Sequence, residues 1–564
     1  MSALNIPLRL VRFGIRCMVL SLYSVRVEGA ENIPKTGGVL IISNHLSFMD
    51  GFLTGWAARH RNVRFMIWRP FYEHAILGIP LRALKAIPIG SSGPRDLVSA
   101  MKAARVELEA GHAVCIFAEG AVSRTGHLHP FKRGMERVVN GLDVPIVPMH
   151  LDRVWGGFFS FKGGSFTGMP KRWRWPITVM VGKPLPATTP AHEVRQAIAE
   201  LGATAFALRK ASGDTLPKRF IRMARKQWGK LALADSTGRE LTYGRALTAA
   251  LLLADVVRKR CGQEQMIGLL LPATAGGALT NMGVALAGKV AVNLNFTAGK
   301  ESMDLAIAQC KIQTVITSKV FLAKAKLDAP VGCVYLEDIL GSIGGSAKLW
   351  ALVKARIAPK FALAPNVSPD SLATVIFSSG STGVPKGVML SHFNLISNVD
   401  AILEIFSLDA RDRIIGTLPL FHSFGYLATI WLPLLAGCGV AYHPIPTDAK
   451  AIGELIEKYK GTFLLSTPTF CSAYMRKCTK QQFASLRFVV VGAEKLRDSL
   501  RQEFQELMGK ELLEGYGCTE LSPVVAVNSP DLVFDRYTQI GNRPGTIGLP
   551  IPGVAGDMVP QQHA

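Results

Sequence analysis

Two residues five apart, His45 and Asp50, follow the apolar run GVLIIS. An imidazole oriented by a carboxylate is a general base able to take a proton from a hydroxyl near neutral pH. On one continuous helix a separation of five turns the side chains about 140° apart. The pair therefore meets only if His45 precedes the helix that carries Asp50. Spacing alone is weak: with 12 histidines, a chance HxxxxD arises in roughly one such chain in two or three. Context strengthens it. The run AVCIF ends in Ala118, Glu119 and Gly120, then Ser123, Arg124 and Gly126, and VPIVPMH follows at Val144 to His150. A carboxylate, flexible backbone and a cation thus gather at a second strand end.

A second constellation begins where ATVIF runs into SSGSTGVPKG, Ser378 to Gly387. Hydroxyls, glycines and Lys386 can wrap phosphate oxygens with backbone N–H groups and a positive charge. A Walker A loop requires glycine before the lysine, and Pro385 stands there, which argues against a P-loop NTPase. Downstream, in order, come LPLFHSFG, VVVGAEKL and EGYGCTE.

The first set, HxxxxD, then FAEG with a following Arg, then VPIVP, resembles the glycerolipid acyltransferase family. The resemblance implies that His45 deprotonates a glycerol hydroxyl that attacks an acyl thioester, with Asp50 holding the imidazole. Glu119, Gly120 and Arg124 would bind the acceptor's phosphate. The sequence departs from the pattern at Ala118, which replaces a proline, and at Val122, where Arg is common. The second set resembles the adenylate-forming superfamily that includes acyl-CoA and acyl-carrier-protein synthetases. That likeness implies ATP and Mg²⁺, with Ser379, Gly380, Ser381, Thr382, Gly383 and Lys386 on the phosphates. Ala493, Glu494, Gly515 and Tyr516 would surround adenine, Thr519 would touch the α-phosphate, Glu520 would bind the metal and His422 would face the acyl carboxylate.

These motifs must sit on α/β frameworks. From Gly38 to about Lys183 apolar runs alternate with helix-like segments, and the pattern starts afresh after Leu231. The expected divisions are an amphipathic membrane-associating segment 1–25, an acyltransferase domain 26–215, a basic linker 216–230 and an AMP-binding domain 231–564. The chain has 564 residues, 49% of them hydrophobic, and a formal charge of +23, which favours anionic partners. With no nucleic-acid signature, the expected partner is an anionic membrane surface and no nucleic acid. Arg9, Arg12 and Arg16 fall on one face of a possible helix able to lie among lipid headgroups. The apolar runs Met266–Gly288 and Leu427–Tyr442 contain Pro272 and Pro433 and read as core elements. The basic and apolar stretch Lys348–Phe361 reads as a solvated helix in preference to a membrane contact. Nine cysteines without a CxxC pair suit a reducing compartment.

Acyltransferase followed by synthetase is similar to the bifunctional 2-acylglycerophosphoethanolamine acyltransferase and acyl-carrier-protein synthetase family of the bacterial inner membrane, cytoplasmic face. That family activates a fatty acid as acyl-AMP, loads it on acyl-carrier protein and passes it to a lysophospholipid; CoA is the other carrier considered. The fold expected is an α/β acyltransferase domain, then the large α/β domain of an adenylate-forming enzyme, with the ribose-binding aspartate motif and lid missing after GTIGLPIPG. Two other readings stand beside it: an acyltransferase using preformed thioesters with an inactive synthetase remnant, and a non-enzymatic lipid-binding scaffold.

Overall fold

The computed structural model describes residues 5–90, 93–164, 166, 173–378, 385–534 and 537–556. It forms two compact units. The first comprises described residues up to 209, together with 531–540 and 550–556. The second comprises 210–530 and 541–549.

The first unit opens with helix α1, Asn5–Leu22. Its strands are β1 Tyr23–Glu28, β2 Val39–Ser43, β3 Val63–Trp68, β4 Ile87–Ile89, β5 Ala113–Ile116, β6 Ile146–Asp152 and β7 Trp175–Val181. They form one sheet in the order β1-β7-β6-β2-β5-β3-β4, parallel except where β6 meets β7. Central strand β2 is buried throughout, as an apolar run covered on both faces must be. One covering layer includes helix α2, Asp50–Ala57, with Leu53 and Ala57 in the core. The helices Pro94–Glu109 and Ala191–Leu208 pack on the other side of the core, through Ala104, Leu108, Val194 and Ile198. On α1, Val19 is buried while Leu10, Phe13 and Leu20 are exposed. The helix expected at the N-terminus is therefore present; the side chains of Arg9 and Arg12 lie outside the described residues.

The second unit carries β8 Leu231–Asp235, β9 Glu240–Thr242, β10 Met266–Leu269, β11 Val290–Asn293, β12 Val315–Thr317, β13 Cys333–Tyr335, β14 Leu372–Ser378, β15 Lys386–Ser391, β16 Arg413–Gly416, β17 Gly439–Tyr442, β18 Phe463–Ser466, β19 Phe488–Val491, β20 Leu512–Gly517 and β21 Val524–Val527. One sheet runs β13-β12-β10-β11-β14-β15, and another contains β21-β20-β19-β18-β16-β17-β8-β9. Met266–Gly288 resolves into β10 and the buried helix Ala275–Leu286, as its proline and glycines require. Leu427–Tyr442 is likewise buried. Among the described residues no helix is long and apolar enough to cross a membrane.

The stretch 216–230, expected as a linker, contains the helix Leu216–Lys226, with Leu216, Pro217, Phe220, Ile221 and Ala224 buried. Those positions share one helical face, and burying it outweighs the basic composition that suggests a connection. A second departure is the hairpin of β22, Leu532–Phe534, and β23, Tyr537–Gln539, which belongs to the first unit.

Candidate active sites

In the first unit, β2 ends at Ser43 and the chain must turn before α2. Asn44 fixes the turn: its amide donates to Leu151 O (3.1 Å) and accepts from Leu151 N (2.8 Å). His45 then precedes the helix and Asp50 begins it, the arrangement the spacing demanded. His45 Nδ1 lies 2.8 Å from Asp50 Oδ2, which also accepts the backbone N–H groups of Leu46 and Ser47. Burial raises the Asp50 pKa, while the hydrogen bond and charge of His45 and the two amides oppose that rise. The imidazole stacks on Phe117, ring centroids 4.2 Å apart. With Nδ1 on the carboxylate, Nε2 is the nitrogen left to meet a hydroxyl proton.

Glu119 lies beneath this turn. Its Oε1 accepts His45 N (2.7 Å) and its Oε2 accepts His129 N (2.9 Å). The side chain is buried, and burial lifts its pKa from 4.5 to about 8. Both oxygens of this residue, expected among those that bind the acceptor, thus brace backbone. The loop is further tied by Ser123 N donating to His45 O (2.7 Å). Arg124 stacks its guanidinium 3.8 Å over the Phe161 ring. Gln539 grips the same loop: its Oε1 accepts Arg124 N (2.6 Å) and its Nε2 donates to Val122 O (2.9 Å).

The cation that comes to Gly120 is Lys132, which lies outside the sequence motifs. A Cβ added at Gly120 would lie 2.6 Å from Lys132 Nζ, and Gly120 has a φ of 79°, so only glycine sits comfortably there. The loop closes because Lys132 N donates to Ala118 O (2.9 Å). The run HPFKRG offered the lysine, but nothing local in it shows the closure. His45 and Gly120 line a cavity of about 1440 Å³ whose other walls include Phe48, Phe52, Trp56 and Phe65. Its size and apolar walls suit a fatty acyl chain.

In the second unit, Ser379, Gly380, Ser381, Thr382 and Gly383 lie outside the described residues. Flanking them, β14 ends at Ser378 and β15 begins at the exposed Lys386, paired across the ladder. The remaining candidates collect at the carboxyl ends of neighbouring strands, where open α/β sheets bind ligands. His422 follows β16, Ala493 and Glu494 follow β19, Gly515 and Tyr516 lie in the last part of β20, and Thr519 and Glu520 come directly after it. Thr469, after β18, donates to Glu494 Oε2 (2.6 Å), and Ser423 lies 3.2 Å from Thr519 between hydroxyl oxygens. Ala493 holds a φ of 68°, unusual for a residue with a side chain and frequent at functional turns. Hydroxyls, an exposed tyrosine and the exposed Glu520 suit a nucleotide with its metal. Among the described residues no three His, Cys, Asp or Glu side chains cluster as a metal-holding group.

Residues 220–561 match the family of AMP-binding enzymes. The chain belongs to that family. Residues 24–152 match the acyltransferase family, so an acyltransferase domain and an adenylate-forming domain share one chain. Similar proteins include a long-chain-fatty-acid–CoA ligase of Bacillus subtilis, 24% identical over 56% of this chain and 60% of its own. Another of the same description, from Yersinia pestis, is 31% identical over 33% of each chain. This chain thus spans between a third and three fifths of the length of these relatives. A crystal structure of the anthranilate CoA ligase AuaEII with anthranoyl-AMP shares the fold, with a TM-score of 0.50 and 22% identity over 60% of this chain and 64% of that one.

Proposed function

We propose that the chain acylates a lysophospholipid such as 2-acylglycerophosphoethanolamine from an acyl thioester, and that its second domain activates the fatty acid with ATP. The observation that carries this reading is the His45–Asp50 pair, 2.8 Å apart, on the wall of an apolar cavity large enough for an acyl chain. The acceptor hydroxyl attacks the thioester carbonyl as its proton passes to His45 Nε2. The C–S bond then breaks, and the departing sulfur takes the proton from the imidazolium. Asp50 keeps the imidazole in the tautomer that accepts at Nε2. Lys132, over Gly120, together with Arg124, supplies positive charge for the acceptor's phosphate. The exposed apolar residues of α1 support contact with the cytoplasmic face of the bacterial inner membrane.

In the second domain the fatty carboxylate attacks the α-phosphorus of ATP, giving acyl-AMP and pyrophosphate, and the thiol of acyl-carrier protein or CoA displaces AMP. Lys386 offsets the repulsion between the anions, and Mg²⁺ held beside Glu520 would offset more of it.

The test uses the purified chain with an acyl thioester and the lysophospholipid. His45→Ala is expected to lower acyl transfer by about 100-fold or more. Undiminished transfer would leave a lipid-binding scaffold as the better reading. Separately, ATP-dependent acyl-hydroxamate formation is expected from the wild-type chain; its absence would reduce the second domain to a remnant.

A further inference from the structure

From Ile339 to Pro369 the chain has no acidic residue. Within this stretch lies the helix Gly345–Ile357, 13 residues long. Its buried side is made of two alanines, Ala351 and Ala355, and it packs against the helix Tyr243–Cys261. Arg225 donates to Ala355 O (2.9 Å) and Ala358 O (2.5 Å), pinning its carboxyl end. At 100° per residue, Leu349, Val353 and Ile357 fall on the side away from the alanines. Leu349 is 64% exposed, Trp350 60% and Ile357 73%, and Phe361, just beyond, is 84% exposed. The ordinary arrangement is inverted: small residues face the protein and large apolar ones face outward.

Isolated exposed apolar side chains are common, but several gathered on one side of a single helix mark a contact surface. Its border is basic. Lys348, Lys354, Arg356 and Lys360 flank the apolar residues; Lys354 Nζ lies 5.5 Å over the Trp350 ring and the Arg356 guanidinium 5.0 Å over Trp228. Bulky aliphatic residues and tryptophan, bordered by lysine and arginine without acids, match the charge and layering of an anionic bilayer surface. Thirteen residues are too few to span, since roughly 20 are needed, so the contact is interfacial.

We propose that the outward face of Gly345–Ile357, extended by Phe361, docks onto anionic lipid and gives the adenylate-forming unit a membrane contact of its own. This deepens the membrane partner of the preceding section and stands apart from the His45 chemistry.

The test is sedimentation of the full chain with vesicles of phosphatidylethanolamine and phosphatidylglycerol, and with vesicles of phosphatidylcholine alone. Leu349→Ser, Trp350→Ser, Ile357→Ser and Phe361→Ser together are expected to weaken binding to the anionic vesicles by about tenfold or more, with the circular dichroism spectrum kept. Lys348→Gln with Lys360→Gln is expected to remove part of the salt dependence of binding. Vesicle binding equal to wild type in the four-site variant overturns the proposal. So does loss of self-association alone, which would make a second copy the occupant, or weakened use of acidic carrier protein with vesicle binding intact. Failure of the acylation reading would appear differently, as vesicle binding without His45-dependent transfer.

Discussion

At the scale of single residues, Glu119 gives the acyltransferase loop a pH dependence. Burial raises its pKa from 4.5 to about 8, so between those values the folded chain holds a proton that the unfolded chain has released. The stabilisation this supplies is complete below pH 4.5 and is lost as pH rises through 8. One proton bounds the slope at about 1.4 kcal/mol per pH unit. Thermal unfolding midpoints of the wild-type chain are expected to fall between pH 5 and 8, and Glu119→Ala is expected to flatten that fall; equal slopes would refute it. The His45–Asp50 pair was legible in the sequence because five residues and one strand end determine it. The bracing role of Glu119 and the approach of Lys132 were not, because both depend on a loop closing across thirteen residues, from Glu119 to Phe131, between the hydrogen-bonded Ala118 and Lys132.

At the scale of elements, the β22–β23 hairpin reaches the acyltransferase loop through the side chain of Gln539. Gln539 is buried and uses both ends of its amide on Val122 and Arg124. Gln539→Ala removes the hydrogen bonds to Arg124 N and Val122 O beside the turn that holds His45. Acyl transfer from a preformed thioester is expected to drop about tenfold through kcat, at the scale of one displaced buried hydrogen-bonding group. Gln539→Glu, which keeps one acceptor, should recover part of it. No sequence spacing announces a contact between residues 124 and 539. Elsewhere the elements were readable: the apolar runs GVLIIS, AVCIF and VPIVPMH located β2, β5 and β6. In the helix Leu216–Lys226 the charge masks a clear apolar face, and the outward face of Gly345–Ile357 emerges only once its alanines are seen buried.

At the scale of the whole molecule, two family matches on one chain make the two chemistries separable. Lys386→Ala is expected to lower ATP-dependent hydroxamate formation by about 100-fold, an effect of the size seen when one charge-stabilising group is removed. Acylation from preformed thioester should persist in that variant. If both activities fall together, the assignment of Lys386 to one domain fails. The placing of the hairpin has a practical corollary for anyone dissecting this gene. A fragment stopped after residue 215 would contain every motif of the acyltransferase and still lack Gln539, so a dead fragment would report a missing strap and say nothing against His45. Supplying residues 531–540 in trans, or grafting them through a short loop, is the fairer way to cut the protein in two.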